Sequence, residues 1–326
     1  MTIQRRTLLV TALGTGLGAG ALAGRANAQA FPSKQIRFIV PFAAGGNADT
    51  TARITAEGMT RKLGQSVLVD NRPGAGGVVG QELVLQAPAD GYTMVITAYG
   101  TLFVSALMAG KPSMVPSFAP VSMLSTVPMI VVVPASSKFK DWQSFVAAAR
   151  EKPGTISLGH AGNGTPNHTD ILRIQENDKV SFSIVPYRGS GVGLNDVIAG
   201  QIDGYVDQLS SSLPHIKGGK LRALCVIGEK RVPELPDVPT IAEAGGTAFD
   251  GGTTLGVFVR AGTPQPVIET LNKAVVAALG EPDLAQKLKD LGATVRPSTP
   301  EELAAFLKTE DAGVGDLAKK GLLKPE

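Results

Sequence analysis

The sequence predicts an α/β protein of two lobes joined by two extended crossings. Three observations carry this: short β-branched runs alternate with helical patterns, the alternation restarts after residue 134, and two long extended segments fall near 125–134 and 252–260. The first unit opens with Ile36-Arg37-Phe38-Ile39-Val40, a strand run. A glycine-containing loop follows, then apolar Ala52, Ala56, Met59 and Leu63 at helical spacing. Next come a strand from Ser66 to Val69, a loop from Asn71 to Gly77, a helix reaching about Gln86 and a strand from Tyr92 to Thr97. Connections this short predict βαβ units and a parallel sheet.

The second series starts after the extended stretch Val127 to Pro134. Trp142, Phe145, Val146 and Ala149 share one helix face, and Pro153-Gly154 stops that helix before a strand from Thr155 to Leu158. A strand from Ser181 to Pro186, a helix around Leu194 to Ala199, a strand from Gly204 to Val206 and the apolar run Leu221 to Ile227 continue it. The chain returns through Thr253 to Val259. Further helices open at Thr263-Pro264 and at Thr299-Pro300-Glu301-Glu302, the latter a capping-box pattern with proline at the first helical position. The expected organisation is a leader over 1–28, one lobe from 29–126 plus 256–326, and a second over 127–255, with a cleft at the strand C-termini. One large doubly wound domain would give a similar pattern.

The leader is read from Arg5-Arg6 before an apolar, glycine-rich run from Thr7 to Ala23, ending in the small-residue stretch Ala26-Asn27-Ala28. That is the pattern of a secretory signal cleaved after about Ala28, so an exported mature chain is expected. Arg5-Arg6-Thr7-Leu8-Leu9 resembles a twin-arginine signal, although basic residues also open ordinary signals. Cleavage takes away Arg5, Arg6 and Arg25 and no acid, leaving 28 basic against 28 acidic residues. A chain without net charge, and without basic runs interleaved with aromatics, argues against nucleic acid or an anionic membrane as partner.

Catalytic and metal motifs are missing. His160, His168 and His215 lack H-x-x-x-H spacing, and the single Cys225 sits in an apolar run where it reads as a small buried hydrophobe. Arg188-Gly189-Ser190-Gly191 fails the G-x-S-x-G nucleophile elbow, and the glycines from Gly74 to Gly80 miss the dinucleotide spacing by one residue. No catalytic residue, metal or cofactor is expected.

The loop Pro41-Phe42-Ala43-Ala44-Gly45-Gly46-Asn47-Ala48-Asp49 lies between the first strand and first helix. Its glycines let backbone approach a ligand, and N–H groups at a helix start favour an anion. On this loop alone, a tight βα turn with Asn47 or Asp49 as cap explains the residues equally well. A loop of the same kind, Gly159-His160-Ala161-Gly162-Asn163-Gly164-Thr165-Pro166-Asn167-His168, follows a strand of the second series. Its three glycines would expose backbone donors, Thr165 adds a hydroxyl, and the residues after Pro166 would open a helix. Two such loops at equivalent places in two lobes favour binding. Four donors at about 1.5–3 kcal/mol each to a charged group would suffice for roughly micromolar affinity after association costs.

Several segments together resemble the periplasmic receptors of tripartite tricarboxylate transporters, the Bug-type binding proteins. They are Ile39-Val40-Pro41-Phe42 with Gly45-Gly46 and Asp49 to Arg53, Val69-Asp70-Asn71-Arg72-Pro73-Gly74-Ala75-Gly76-Gly77, Pro88 to Thr93, Val185-Pro186-Tyr187-Arg188-Gly189, Pro214 to Arg222 and Leu235 to Thr240. The resemblance spans essentially the whole mature chain. It implies a type II periplasmic-binding-protein clamshell that holds a small organic acid, partly through ordered water, and hands it to membrane subunits of the transporter. Carried onto this chain, the ligand-binding set is Phe42, Ala44, Gly45, Gly46, Asp49, Thr97, Gly100, Thr101, His160, Asn163, Gly164, Thr165, His168, Tyr187 and Asp207. Thr165 stands where serine is expected, and His160 where the family loop usually offers small residues. A monomer is expected. The competing expectation is an exported enzyme with a cofactor in the cleft, motivated by the twin-arginine-like leader and by His160 and His168.

Overall fold

The structure is a computed structural model in which residues 31–323 are described. The expected leader and its cleavage point lie outside the described residues. The first half runs β1 (Ile36–Val40), α1 (Asn47–Leu63), β2 (Val67–Asn71), α2 (Val78–Gln86), β3 (Thr93–Thr97) and the short α3 (Ala106–Met108). α1 buries Ala52, Ala56 and Met59, and it stops at Gly64, whose left-handed backbone (φ 65°) lets its N–H reach the Thr60 carbonyl. β1 pairs in parallel with β2 and with β3, as short βαβ connections require.

The chain then crosses over in β4 (Phe118–Pro134) and builds α4 (Trp142–Glu151), β5 (Ser157–His160), α5 (Pro166–Asp178), β6 (Ser183–Pro186), α6 (Ser190–Ile198), β7 (Gly204–Gln208), α7 (Leu209–Lys217) and β8 (Leu221–Ile227). α4 starts at Asp141, which accepts a 2.7 Å bond from the Ser144 N–H. β5 lies parallel to β6 and β7. β9 (Gly252–Arg260) leads back, followed by α8 (Gln265–Leu279), α9 (Pro282–Lys289), β10 (Thr294–Val295) and α10 (Pro300–Lys319). The capping box at α10 forms as its residues predict: Glu302 accepts from the Thr299 N–H at 2.8 Å, and Thr299 from the Glu302 N–H at 3.1 Å.

Strand order is β2-β1-β3-β9-β4-β7-β5-β6, with β8 and β10 also on β4. The parallel sheet expected from the βαβ pattern is therefore corrected to a mixed one. β4 and β9 carry the chain out and back along the same path, so they run antiparallel, Phe118–Pro128 pairing with Gly252–Arg260. Beyond Pro128, β4 changes neighbours: Met129–Val132 pair with β7 and Met129–Pro134 with β8. One strand thus belongs to both halves of the clamshell.

Each half has its own core. Trp142, Phe145 and Phe182 pack with Val131, Ile171 and Cys225 on one side, Phe145 meeting Phe139 edge-on at 5.2 Å. Ile39, Val95, Leu102, Phe118 and Phe258 anchor the other. Among the described residues, no helix is long and apolar enough to cross a membrane.

Candidate functional site

Four helices begin at one small cavity between the halves. Its wall includes Gly46, Asn47, Ala48 and Asp49 from the start of α1, Thr165, Pro166 and Asn167 from α5, Ser190 from α6 and Gln208 from α7, completed by Phe42, Ala98, Thr101, Ala161, Thr253 and Leu255. None of the four helix starts carries a side-chain cap. The first intrahelical bond of α1 is from the Thr50 N–H to Gly46, so the amides of Asn47, Ala48 and Asp49 have no acceptor within the helix. In α5 the first is from the Thr169 N–H to Thr165, which leaves the Asn167 and His168 amides in the same position. Uncapped N–H groups and the positive ends of four helix dipoles make the wall a seat for an anion.

No lysine or arginine lines this cavity, and Asp49 is its one ionisable residue. Burial tends to raise the Asp49 carboxyl, but the Arg53 guanidinium, the Gly45 N–H and the Asn71 amide outweigh it and hold the carboxyl below its ordinary range. Its oxygens accept from Gly45 at 3.0 Å, from Arg53 Nε at 3.1 Å and from Asn71 Nδ2 at 2.9 Å. Asp49 thereby folds the glycine turn, and its charge is matched behind the wall. Asn47 is 4% exposed; its Oδ1 accepts from Ser210 Oγ at 2.8 Å, while its Nδ2 is a buried donor with no acceptor. Asn47 lines the cavity, so Nδ2 adds an uncommitted side-chain donor to the backbone amides there.

The cavity is small, about 30 Å³. At roughly 10–15 Å³ per water-sized group, it seats two or three heavy atoms, which is the size of a carboxylate. A second chamber of about 360 Å³ shares Ala98, Pro166 and Thr253 with it.

Of the residues expected to contact ligand, Phe42, Gly46, Asp49, Thr101 and Thr165 line the first cavity and Gly100 the second. Ala44 and Gly45 belong to the same turn but press against Gly191 of α6. Asn163 and Gly164 pack against Gly76 and Ser105 on the opposite half. Thr97 is buried at the end of β3, where its hydroxyl accepts from Gln81 at 3.3 Å. Tyr187 donates its hydroxyl to Asp196 at 2.9 Å. Those six are off the walls.

His160 and His168 also stand behind the wall, stacked with ring centroids 4.4 Å apart. Their Nδ1 atoms accept from the Gly162 and Gly164 N–H groups at 3.2 and 3.1 Å. The expectation that these glycines present their amides outward is corrected, because the histidines consume them. Burial drives His160 down to about 3 and His168 to about 4, so both rings are neutral.

Asp207 is fully buried and accepts hydroxyls from Ser190 at 2.5 Å, Ser211 at 2.6 Å and Ser212 at 2.6 Å. Burial raises its carboxyl, against the pull of those three serines. Asp207 ties the starts of α6 and α7 together and stands off the wall. Asn167 and Gln208 form a reciprocal amide pair, Gln208 Nε2 donating to Asn167 Oδ1 at 3.0 Å and Asn167 Nδ2 to Gln208 Oε1 at 3.4 Å. The expected contact set omitted Asn47, Ala48, Ala98, Ala161, Pro166 and Asn167, which lie in the segments it singled out, and missed Ser190, Gln208, Thr253 and Leu255 altogether. The two long uncapped helices were legible from their glycine and proline punctuation; α7 follows β7 with no loop to mark it.

Comparisons with known proteins show the family and the fold. The model of the tripartite tricarboxylate transporter family receptor matches residues 51–322. The chain is 41% identical over 283 residues, 86% of this chain and 84% of the relative, to the UPF0065 protein in the tcbD-tcbE intergenic region of Pseudomonas sp. strain P51. It is similar to the structure of the periplasmic binding protein BugD, with a TM-score of 0.85 at 32% identity, covering 91% of this chain and all of that one. It is likewise similar to a protein of R. palustris solved with adipate, with a TM-score of 0.86 at 30% identity over 91% of this chain and all of the other.

Proposed function

The chain belongs to the tripartite tricarboxylate transporter family of receptors, as a Bug-type solute-binding protein, and we propose that it captures a small organic acid in the cavity between its halves and delivers it to the membrane subunits of such a transporter. The observation that carries this reading is the convergence of four uncapped helix starts on a cavity of carboxylate size with no cationic side chain in its wall. The similar protein solved with adipate supports an organic acid as the ligand class.

In this reading one ligand carboxylate sits among the amides of α1 and α5, with Asn47 Nδ2 completing its shell and Phe42, Ala48 and Leu255 excluding water. The first lobe comprises 29–126 and 256–326, the second 127–255, and β4 and β9 form the hinge between them. The mature protein acts as a monomer in the periplasm after cleavage near Ala28. Its work is binding and release, with no chemical step.

Calorimetry against mono-, di- and tricarboxylates, aromatic acids included, tests the capture step. Micromolar or tighter binding of at least one acid is expected; no heat with any of them would sink the reading. Uptake of the same acid by cells with and without this protein tests delivery.

A further inference from the structure

The second chamber has a charge pattern unlike the first. Asp170, Asp250 and Glu310 line it together with Arg173 and Arg296, so carboxylates outnumber guanidiniums by three to two. Both arginines have other engagements: Arg173 lies over the Phe249 ring at 5.9 Å, with Nη1 3.5 Å from Asp170 Oδ1, and Arg296 lies over Phe306 at 5.8 Å. Asp170 is 2% exposed, and its Oδ2 is a buried acceptor with no hydrogen-bond partner. A buried carboxylate oxygen without a donor is costly. On a chamber wall it points to a donor that arrives with the ligand.

Resting on the reading of the first cavity as a carboxylate seat, we propose that the preferred ligand is an amino- or guanidino-substituted carboxylic acid, its carboxylate among the helix starts and its cationic group in the second chamber against Asp170, with Asp250 and Glu310 completing the negative field. Ala98, Pro166 and Thr253 line both chambers, which places the two side by side, and 360 Å³ accommodates the cationic end with the chain that leads to it. A second carboxylate at that end would share the chamber with three others and with two guanidiniums.

Titration gives an independent readout. Burial raises the Asp170 carboxyl to about 7, Arg173 pulls it down and Asp250 pushes it up. A cation arriving there favours the charged carboxylate and expels its proton; an anion favours the protonated acid and draws a proton in. The charged groups facing Asp170 in the chamber are Arg173 from its own helix, Asp250 before β9, Arg296 before α10 and Glu310 within α10.

The experiment compares straight-chain ω-amino acids of four to six carbons with diacids and monoacids of matched length, by calorimetry at pH 7 in two buffers of different ionisation enthalpy. An ω-amino acid is expected to bind at least about tenfold tighter than its matched diacid and to release protons. Asp170→Asn, which copies the neutral acid in shape, should remove that preference and the proton release while leaving monoacid affinity within about twofold. A diacid that binds tighter than the matched amino acid, or an amino-acid preference that survives Asp170→Asn, overturns the proposal and leaves the carboxylate seat intact. Failure of all three series to bind would overturn both.

Discussion

The carbonyl oxygen of Ala44 and the α-carbon of Gly191 are packed so closely that a methyl group on Gly191 would overlap that oxygen. Ala44 belongs to the turn before α1 and Gly191 to the first turn of α6, so the contact joins the two halves across the cleft. Neighbouring pairs repeat it: the Ala43 N–H donates to the Arg188 carbonyl at 2.8 Å, and a Cβ on Gly162 would stand 2.9 Å from the Gly76 α-carbon. Glycine at these points lets backbone meet backbone, and the two halves close on each other there.

Gly191→Ala should therefore wedge the halves apart without harming either. The residue is in helical conformation, where alanine is favoured by up to about 1 kcal/mol over glycine. The expected outcome is a melting temperature unchanged or slightly raised without ligand, and organic-acid affinity weakened by about tenfold or more. A variant that binds as tightly as the parent in calorimetry would show that closure does not need this contact.

Asn47 tests the anion seat. Its Oδ1 is committed to Ser210, and its Nδ2 is the donor left over. Asn47→Asp keeps the first role and replaces the donor by a negative oxygen at the place where the ligand charge belongs. With hydrogen bonds to charged groups worth about 1.5–3 kcal/mol, Asn47→Ala should weaken binding roughly 10- to 100-fold and Asn47→Asp by more. Parental affinity in Asn47→Asp beside a loss in Asn47→Ala, titrated with the same acid, would mean that Asn47 acts only through Ser210.

What the sequence made legible was the part of the site with local punctuation. Gly45-Gly46 and Thr165-Pro166 mark helix starts after strands, and α1 and α5 begin there. Gln208-Leu209 carries no such mark, since β7 passes directly into α7. Ser190 was visible in Arg188-Gly189-Ser190-Gly191 only as a failed nucleophile elbow; what places it on the wall is the long-range bond to Asp207. The strand expected at Thr155 to Leu158 lies two residues later, at Ser157–His160, because register is set by pairing with β6 and β7, which a single run of residues does not encode. Likewise, the glycines around His160 read as free donors until the fold brings the imidazoles onto their amides.

Asp207 is expected to matter for stability first. Its carboxyl accepts from Ser190, Ser211 and Ser212; Asp207→Ala strands the Ser212 hydroxyl, leaves Ser211 and Ser190 with their weaker bonds to Gln208, and should cost about 3 kcal/mol. Asp207→Asn keeps one acceptor oxygen and should cost about 1–3 kcal/mol. Urea denaturation would resolve the two. Since α6 and α7 would lose their mutual anchor, ligand affinity should fall with stability in both; a stable variant that merely fails to bind would instead make Asp207 a direct contact.

The stacked histidines predict how the protein responds to acid. Their folded values of about 3 and 4 lie below the ordinary value of 6.5, so unfolding lets each ring take up a proton whenever the pH is under 6.5. Their neutral burial is harmless above that point, and stability is lost progressively as pH falls from about 6.5 towards 4. At pH 5 each ring contributes up to about 2 kcal/mol of loss, from 1.36 kcal/mol per unit. His160→Gln combined with His168→Gln removes both protonation sites; Gln can still accept from the Gly162 and Gly164 amides through its side-chain oxygen. The double variant should start less stable at pH 7.5, from imperfect packing, yet lose less on acidification to pH 5 than the parent. Parallel denaturation curves for parent and variant across that range would show that the rings do not govern the acid response.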